Sequence, residues 1–376
     1  MFQVPRVSRR SAVALIAAAP LAGWAKSPSI RICQSTALSG PLGELGSAMH
    51  QGAKACFAGV NAQGGIHGTL IDLQTRDDGY DVARAAKNVD EFLADPECFA
   101  LFNCMGTPMI ASALPKVLAS GMPFFAPFSG ALSIRPAERS VVHIRASYPD
   151  EAEQLVQHLA TVGIKRIGVA YQNNSFGKEV LDGVKAATDR HKLASPSAVT
   201  VENDASDAAR AASQLAAANP EAVVLGLAGK PAMEFVKSIR AERRGLPLYG
   251  LSVLATTATL RALGENGVGL TLSQVMPSPR NAVVPLVRDF LQAWKSAGME
   301  VEPSHLGLEG YVNARVFCEA LKRAGRNPTR GGFLDAVWKM KALDLGGFNL
   351  AFTAPGKNAS RFVELTMVGR DARFIR

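Results

Sequence analysis

The sequence predicts an α/β protein made of two doubly wound parallel-sheet lobes. Three observations support this fold class. Short apolar strand patterns alternate with longer amphipathic helix patterns along most of the chain. The alternation ends near residue 126 and starts again near residue 142, so two successive units are expected. The length of 376 residues also exceeds what one hydrophobic core normally supports, and it suits two lobes.

The first unit contains four predicted strands separated by three predicted helices. The strand patterns cover residues 30–34, 70–76, 99–103 and 124–126, and the helix patterns cover residues 42–61, 82–93 and 109–118. Gln63-Gly64-Gly65 ends the first of these helices. Because strand–helix–strand order places neighbouring strands parallel, we expect a parallel sheet with helices on both faces.

The second unit repeats this order, and a helical tail follows it. Residues 142–145 lead into a helix pattern at 151–162. Strand patterns at 166–170, 198–201, 222–227 and 248–251 then alternate with helix patterns at 176–189, 205–217 and 232–243. After Pro277-Ser278-Pro279, helices are predicted at 283–296, 304–324 and 331–339. The last strand patterns, 348–352 and 361–367, have no helical crossover, so we expect them to add to an existing sheet.

The N-terminal segment has the three parts of an export signal. Ser8-Arg9-Arg10 precedes an uncharged run over residues 11–22, and Gly23-Trp24-Ala25 follows it. The uncharged run is too short to span a bilayer, which takes roughly 20 residues, and the paired arginines resemble a twin-arginine signal. We therefore expect residues 1–25 to be removed after Ala25. An uncut membrane anchor is the alternative interpretation.

Charge and hydropathy indicate a globular protein with no nucleic-acid partner. The formal net charge is +9, and 48% of the residues are hydrophobic. The basic residues are mixed with acids, as in Arg240-Ala241-Glu242-Arg243-Arg244, and they form no basic stripe with interleaved aromatic residues. No later apolar run is long enough to span a membrane.

The five cysteines fit an oxidising compartment but do not determine a pairing. Cys33 and Cys104 follow or end predicted strands at the same edge of a sheet, so a Cys33–Cys104 disulfide is one open pairing. Cys98 precedes one of these strands. Cys56 and Cys318 lie in helix patterns and are expected to be buried apolar residues. The sequence contains no Cys-x-x-Cys pair, so neither a zinc ribbon nor a thioredoxin-like site is predicted.

Motifs for catalysis and cofactor binding fail at their defining positions. Pro231 stands where a phosphate-binding loop needs Ser or Thr. Ser129 lacks the leading glycine of a nucleophile elbow. The six histidines have none of the spacings of a metal site. We therefore predict no metal and no cofactor.

Two further motifs receive structural interpretations. Gly40, Gly43 and Gly46 follow the first strand without the spacing of a dinucleotide fingerprint, and they indicate a tight turn with close helix packing. Adjacent strand residues point to opposite faces, so Asp77 and Asp78 cannot readily converge on a metal or act as an acid–base pair. A turn cap is the favoured interpretation.

Small polar residues remain at the carboxyl ends of the predicted strands, where ligands collect in open α/β sheets. These are Ser35, Ser39, Thr107, Ser129, Asn173, Asn174 and Ser252. Hydroxyl groups and free amides at helix N-termini hold a polar or anionic group without reacting with it. The pattern therefore favours ligand binding over catalysis.

Several motifs, taken together and in order, resemble one known family. They are Thr36-Ala37-Leu38-Ser39-Gly40-Pro41, Asn61-Ala62-Gln63-Gly64-Gly65-Ile66-His67-Gly68, Asp77-Asp78-Gly79-Tyr80-Asp81, Gly106-Thr107-Pro108, Tyr171-Gln172-Asn173-Asn174-Ser175-Phe176-Gly177 and Glu309-Gly310-Tyr311-Val312-Asn313-Ala314-Arg315. The chain is similar, from about residue 30 to its C-terminus, to periplasmic substrate-binding proteins of branched-chain amino acid (leucine/isoleucine/valine) ABC transporters.

The resemblance implies a type I periplasmic-binding fold, in which two lobes are joined by a three-crossing hinge. It places residues 28–147 and 277–343 in lobe one, and residues 148–276 and 344–376 in lobe two. It also implies a monomeric periplasmic receptor that binds a small molecule between the lobes and delivers it to a membrane permease. A ligand-sensing subunit of a signalling system is the first alternative. An exported enzyme that uses Ser129 or Cys104 is the second.

The resemblance also indicates where a ligand binds. The family's contact positions match Leu45, Thr107, Ser129, Ala131 and Phe176. The full set of expected ligand-binding residues is Leu45, Thr107, Pro108, Ser129, Gly130, Ala131, Tyr148, Asn174, Phe176, Ser252 and Leu254.

Two departures from the family bear on the ligand. Amino-acid binders hold the ligand ammonium with a carboxylate of lobe two, but residues 251–259 contain no acid. Residues 227–231 lack the family's tyrosine. We therefore expect a small carboxylate, held by lobe-one hydroxyls and amides, whose apolar or aromatic body contacts Phe128, Phe176 and Leu254. A branched-chain or related amino acid is the alternative.

Overall fold

A computed structural model describes Met1, residues 28–254 and residues 256–375. The predicted export signal and its cleavage site lie outside the described residues. Within the described part of the chain, no helix has both the length and the apolar character needed to cross a bilayer.

The first sheet is parallel and has the strand order β2-β1-β3-β4-β5. Its strands are β1 (Ser29–Thr36), β2 (Leu70–Asp77), β3 (Cys98–Phe102), β4 (Phe124–Phe125) and β5 (Val141–Val142). The helices between them are α1 (Gly43–Ala62), α2 (Val82–Ala94) and α3 (Thr107–Ser120). These elements confirm the strand–helix alternation predicted for the first unit.

The second sheet has the order β14-β13-β10-β9-β8-β6-β7, and its strands β6 to β10 are parallel. The strands are β6 (Ile167–Gln172), β7 (Ser197–Val201), β8 (Ala222–Gly226), β9 (Leu248–Gly250), β10 (Thr271–Gln274), β13 (Glu364–Val368) and β14 (Phe374–Ile375). The helices are α4 (Tyr148–Thr161), α5 (Ser175–Arg190), α6 (Ala208–Ala217), α7 (Gly229–Glu242) and α8 (Thr257–Leu263). The molecule therefore has two α/β lobes, which confirms the predicted fold class.

The C-terminal helices return to the first sheet. These are α9 (Pro285–Ser296), α10 (His305–Ala324) and α11 (Arg330–Lys339), and they share one core with Phe102 and Phe125 of that sheet. The chain crosses between the lobes three times: after β5, after β10, and before β13.

The strands near the C-terminus only partly match their prediction. The second strand, β13, adds antiparallel to β10 as expected. The first does not join either large sheet. It forms a two-stranded ribbon of β11 (Ala342–Asp344) and β12 (Asn349–Ala351), because Phe348, Leu350 and Phe352 bury their side chains in the core of α9–α11.

The disulfide joins Cys33 to Cys98, so the Cys33–Cys104 pairing is wrong. The reason is the length of β1, which continues to Thr36 and places Cys33 inside the strand rather than at its end. Cys104 lies beyond the end of β3, where its sulfur accepts a hydrogen bond from the Ser35 amide at 3.5 Å. As expected, Cys56 and Cys318 are buried.

Two local interpretations are confirmed. A Cβ atom at Gly46 would lie 1.9 Å from the Ala37 carbonyl oxygen, so the start of α1 packs directly on the preceding loop. Asp77 caps its turn by accepting hydrogen bonds from the amides of Leu38 and Gly79, at 2.8 and 2.9 Å.

Candidate functional site

Loops and helix ends from both lobes surround one narrow cavity. Lobe one contributes Leu42, Leu45, Tyr80, Met105, Gly106, Thr107 and Phe128, and the segment from Tyr148 onward contributes Tyr148, Phe176, Ala228 and Val253. The cavity volume is about 20 Å³, which is room for about one water molecule. Four of the eleven lining residues are aromatic, and two of these, Tyr148 and Phe176, meet edge to face with centroids 5.2 Å apart. None of the lining residues is ionised at neutral pH.

Five of the predicted contact residues line this cavity: Leu45, Thr107, Phe128, Tyr148 and Phe176. Thr107 is the first residue of α3, and its hydroxyl lies 2.8 Å from the Ser129 hydroxyl. The preceding residue, Gly106, has φ of 96° and provides no side chain to cap the helix. The cavity therefore meets a hydroxyl pair at the start of an uncapped helix.

The loop at residues 129–131 supports the wall from behind. Ser129 Oγ accepts a hydrogen bond from the Ala131 amide at 3.2 Å, and the Gly130 carbonyl accepts one from the Tyr148 amide at 2.7 Å. A Cβ atom at Gly130 would lie 2.5 Å from Tyr148 Cδ1, so only glycine fits there. Arg135 fixes the loop by donating to the carbonyl oxygens of Ala131 and Ser129, both at 3.2 Å.

The other predicted residues lie outside the cavity lining. Asn174 caps α5 by accepting from the Gly177 amide at 3.1 Å, and its own amide donates to Asn203. Leu254 is buried in the core of the second sheet. Pro108 occupies the first turn of α3, where its missing N–H costs nothing. Ser252 belongs to a buried charge cluster.

That charge cluster lies behind the aromatic wall and joins the two lobes. Arg145 donates to Glu151 at 3.1 Å and to the Ser252 hydroxyl, and it lies 3.5 Å from Glu309 on α10. Its guanidinium carbon is 5.4 Å from the centre of the Phe128 ring and 5.8 Å from that of Tyr148. Burial raises the pKa of Glu309 to about 7, and the nearby Arg145 acts against this shift.

The second oxygen of Glu151 is also fully used within the cluster. It accepts hydrogen bonds from the Ser252 amide at 2.8 Å and from the Ser273 hydroxyl at 2.7 Å. Glu151 lies in the first turn of α4, which begins at the cavity-lining Tyr148. Its carboxylate is already bonded to Arg145 and two serines. It is therefore not available to a ligand that enters from the cavity side.

Two carboxylates bridge the lobes beside the cavity. Glu44 on α1 accepts hydrogen bonds from the hydroxyls of Thr256 and Thr259, the latter at 2.9 Å. In the opposite direction, Glu179 on α5 accepts from the amides of Leu132 and Ser133, both at 3.0 Å. The described structure is thus a closed arrangement, since each lobe donates to a carboxylate of the other.

Six residues of the cavity wall are not among those predicted from the sequence: Leu42, Tyr80, Met105, Gly106, Ala228 and Val253. Tyr80 had a signal, because it belongs to the Asp77-Asp78-Gly79-Tyr80-Asp81 motif. Its φ of 63° turns the ring toward Gly106, where an added Cβ would lie 2.8 Å from Tyr80 Cε2. Burial raises the pKa of the Tyr80 phenol well above its usual value, so it stays neutral.

Comparison with known proteins agrees with this architecture. A family model described as periplasmic binding protein matches residues 29–372. The chain belongs to this family. It is similar to Leu/Ile/Val-binding protein homolog 7 of Brucella melitensis, with 22% identity over 333 residues that cover 83% of this chain and 82% of the relative.

Solved periplasmic binding proteins superpose along nearly the whole chain. A substrate-binding periplasmic protein from Ralstonia solanacearum has 32% identity and a TM-score of 0.86, with 92% of this chain and 99% of that chain covered. An extracellular ligand-binding receptor from Verminephrobacter eiseniae has 26% identity and a TM-score of 0.84, with coverage of 93% and 100%. The family implies a periplasmic location for this binding protein.

Proposed function

We propose that this periplasmic binding protein captures a small carboxylate with an apolar or aromatic body between its lobes and delivers it to the permease of an ABC importer. We further propose that it is exported by the twin-arginine route and acts as a monomer. The lobes are residues 28–147 with 277–343, and residues 148–276 with 344–376, except that the β11–β12 ribbon packs with the helices of lobe one.

The observation that carries this proposal is the chemistry of the cavity wall. The lining consists of apolar residues, aromatic rings and the Thr107 hydroxyl, with no carboxylate among them. A buried ammonium group without a partner costs several kcal/mol, and Glu151 cannot serve because Arg145, Ser252 and Ser273 occupy it. An α-amino acid is therefore disfavoured.

A ligand carboxylate has suitable partners at one end of the cavity. The Thr107 hydroxyl can donate to it while the Ser129 hydroxyl donates to Thr107, and the start of α3 adds the positive end of a helix. The rings of Phe128 and Phe176 then surround the apolar body. We extend the proposed contact set to Tyr80, which carries a neutral hydroxyl at the same wall.

Opening and closing of the lobes supply the route of entry. The closed lobes leave room for about one water molecule, so a ring-sized carboxylate must enter while the lobes are apart, and the cavity wall must stay further apart to enclose it. Glu44 and Glu179 then bridge the two lobes. Closure also creates the joint surface that a permease can distinguish from the open form.

A branched-chain amino acid is the second candidate, and the name of the Brucella melitensis relative favours it. A sensing role uses the same closure and differs only in the partner. The enzyme alternative is weaker on chemical grounds. Burial raises the pKa of Cys104 to about 12, and the Ser129 hydroxyl is paired with Thr107 rather than with a base.

A thermal-shift panel tests the ligand class. The purified protein is unfolded and refolded to remove bound ligand, then heated with benzoate, phenylacetate, short aliphatic acids, leucine, isoleucine or valine. Ligand at 100 times its Kd adds about 2.7 kcal/mol to the free energy of unfolding, so a true ligand raises Tm clearly. We expect the largest shift from an acid without an ammonium group. The largest shift from leucine, isoleucine or valine contradicts the proposal.

A pair of variants then tests the site. Thr107→Val keeps the shape of the side chain and removes the hydroxyl, and we expect affinity for the best acid to fall by about 10- to 100-fold, as for a lost hydrogen bond to a charged group. Thr161→Val is the matched control, because its hydroxyl bonds only the Gln157 carbonyl on the surface of α4. Equal affinities for the two variants contradict the pocket assignment.

A further inference from the structure

Helices α1 and α10 are in unusually close contact along lobe one. A Cβ atom at Gly310 would lie 1.9 Å from the Met49 carbonyl oxygen, and one at Gly52 would lie 1.8 Å from the Gly307 carbonyl oxygen. Neither helix can slide or rotate freely on the other, because these glycines interlock the two backbones. Side chains further along the same interface are therefore held in a fixed relation.

Two cysteines face each other across this interface. Cys56 comes from α1 and Cys318 from α10, and the nearby Cys318 side chain raises the pKa of Cys56. Each is 4% exposed, and both lie in the wall of the same surface groove of about 640 Å³, which is open to solvent. Arg315 and Lys322 lie in the wall of the same groove.

We propose that Cys56 and Cys318 form a reversible disulfide that joins α1 to α10 in the periplasm. The family places the protein in an oxidising compartment, where such bonds form and persist. The proposal does not depend on the ligand of the cleft, since both helices belong to lobe one. No group of three or more metal-ligating side chains occurs among the described residues, so the two thiols are not part of a larger metal site.

The oxidant is a disulfide-bearing molecule that reaches the groove. One protein thiolate attacks it, which gives a mixed disulfide and releases one thiol. The second protein thiolate then attacks the protein sulfur of that mixed disulfide and releases the second thiol. Overall, two S–H bonds of the protein are replaced by one S–S bond. The two electrons and two protons pass to the oxidant, whose S–S bond is reduced to two thiols.

The surroundings set the rate of this reaction. The neighbouring thiol and burial raise the pKa of Cys56, while the positive charges of Arg315 and Lys322 act to lower it. The reaction therefore starts slowly at neutral pH and speeds up in mild alkali, where more thiolate is present. Cys104 differs, because its sulfur contacts the Ser35 amide in the interior of the first lobe.

The test follows the oxidation of the full chain. The protein is reduced with dithiothreitol, freed of reductant and exposed to oxidised glutathione at about pH 8. Samples are blocked with N-ethylmaleimide in denaturant and digested without reduction for mass spectrometry. We expect a cross-linked peptide that contains Cys56 and Cys318, which lose their maleimide labels at the same rate, while Cys104 remains labelled.

A variant separates this bond from the Cys33–Cys98 disulfide. The increase in Tm from the reduced to the oxidised state is measured for the wild type and for C56S/C318S. Both keep Cys33 and Cys98, so a larger increase in the wild type is the contribution of the second bond. The proposal is overturned if Cys56 and Cys318 retain independent labels, or if one keeps a glutathione adduct and no cross-linked peptide forms. The peptide map uses only the wild-type chain, so it tests the proposal even if C56S/C318S does not fold.

Discussion

Arg145 is a buried cation that pairs with a carboxylate from each lobe. It lies 3% exposed between Glu151 of lobe two and Glu309 of lobe one, and it packs behind the aromatic wall of the cavity. Glu309 is the first residue of the motif at 309–315, one of the motifs that resemble the family. The structure shows its contact to be with Arg145 rather than with the cavity, so this motif holds the lobes together near the hinge.

Replacement of Arg145 by Met tests this role. The change leaves Glu151 and Glu309 buried without their cation, and breaking such a buried pair costs about 3–5 kcal/mol. We expect this loss in urea unfolding at neutral pH. Arg139→Met is the control, because Arg139 pairs with Asp335 on the surface, where an ion pair contributes only about 0–1 kcal/mol. Similar losses for both variants contradict a central role for Arg145.

At the scale of elements, the contact between α1 and α10 organises lobe one. Phe57 of α1 and Phe317 of α10 meet edge to face with centroids 6.5 Å apart, next to Phe102 and Phe125 of the sheet. The C-terminal helices are thereby fixed to the N-terminal sheet. Small residues at the crossing are what allow the two helices to come this close.

A pair of glycine substitutions measures this packing. Gly310→Ala places a methyl group 1.9 Å from the Met49 carbonyl oxygen, so the helices must separate. We expect a loss of about 1–3 kcal/mol in the free energy of unfolding, as for other overpacked sites. Gly59→Ala in α1 meets no atom within 4 Å and should instead stabilise the protein by about 0.5–1 kcal/mol. Effects of the same sign for the two variants contradict this interpretation.

At the scale of the whole molecule, three crossings bring the loops of two sheets to one cavity. Several ionisable groups also lie in the interior of the molecule. Burial lowers the pKa of His50 to about 4 and that of His305 to about 3, and it lowers the pKa of His143 well below 6.5. All three histidines lie in lobe one, so acid acts first on this lobe.

Acid should therefore destabilise the protein. Each folded histidine has a lower pKa than the unfolded one, so the unfolded chain binds more protons below about pH 6.5. Each contributes a loss of about 1.4 kcal/mol per pH unit until its folded pKa is reached. Glu309 acts in the opposite sense, because its pKa of about 7 favours the protonated folded state, but the three histidines outnumber it.

Urea unfolding at pH values from about 7 to 5 measures this dependence. We expect stability to fall with pH, and His305→Leu should reduce the slope because it removes one buried imidazole. His67→Gln is the control, since His67 is exposed. A wild-type stability that does not change over this range, or equal slopes for the two variants, contradicts the assignment.

Local patterns were enough to predict the fold class, the alternation of strands and helices, and the capping turn at Asp77. These features depend on neighbours within a few residues, or on a period that each segment shows by itself. The same reasoning selected Thr107, because loops after parallel strands meet at one sheet edge, and the family resemblance selected Phe176; both line the cavity.

The sequence by itself therefore determined a two-lobed α/β fold with small polar residues at its strand ends, a pattern that favours ligand binding. Only the tertiary structure decided which side chains meet. It placed Tyr80 in the cavity wall, paired Cys33 with Cys98, put Cys56 and Cys318 in the wall of one groove, and bonded Glu151 to Arg145. The physical reason is that such contacts join residues far apart in the chain, and their positions follow from strand length, helix crossing and lobe closure, which no local pattern records.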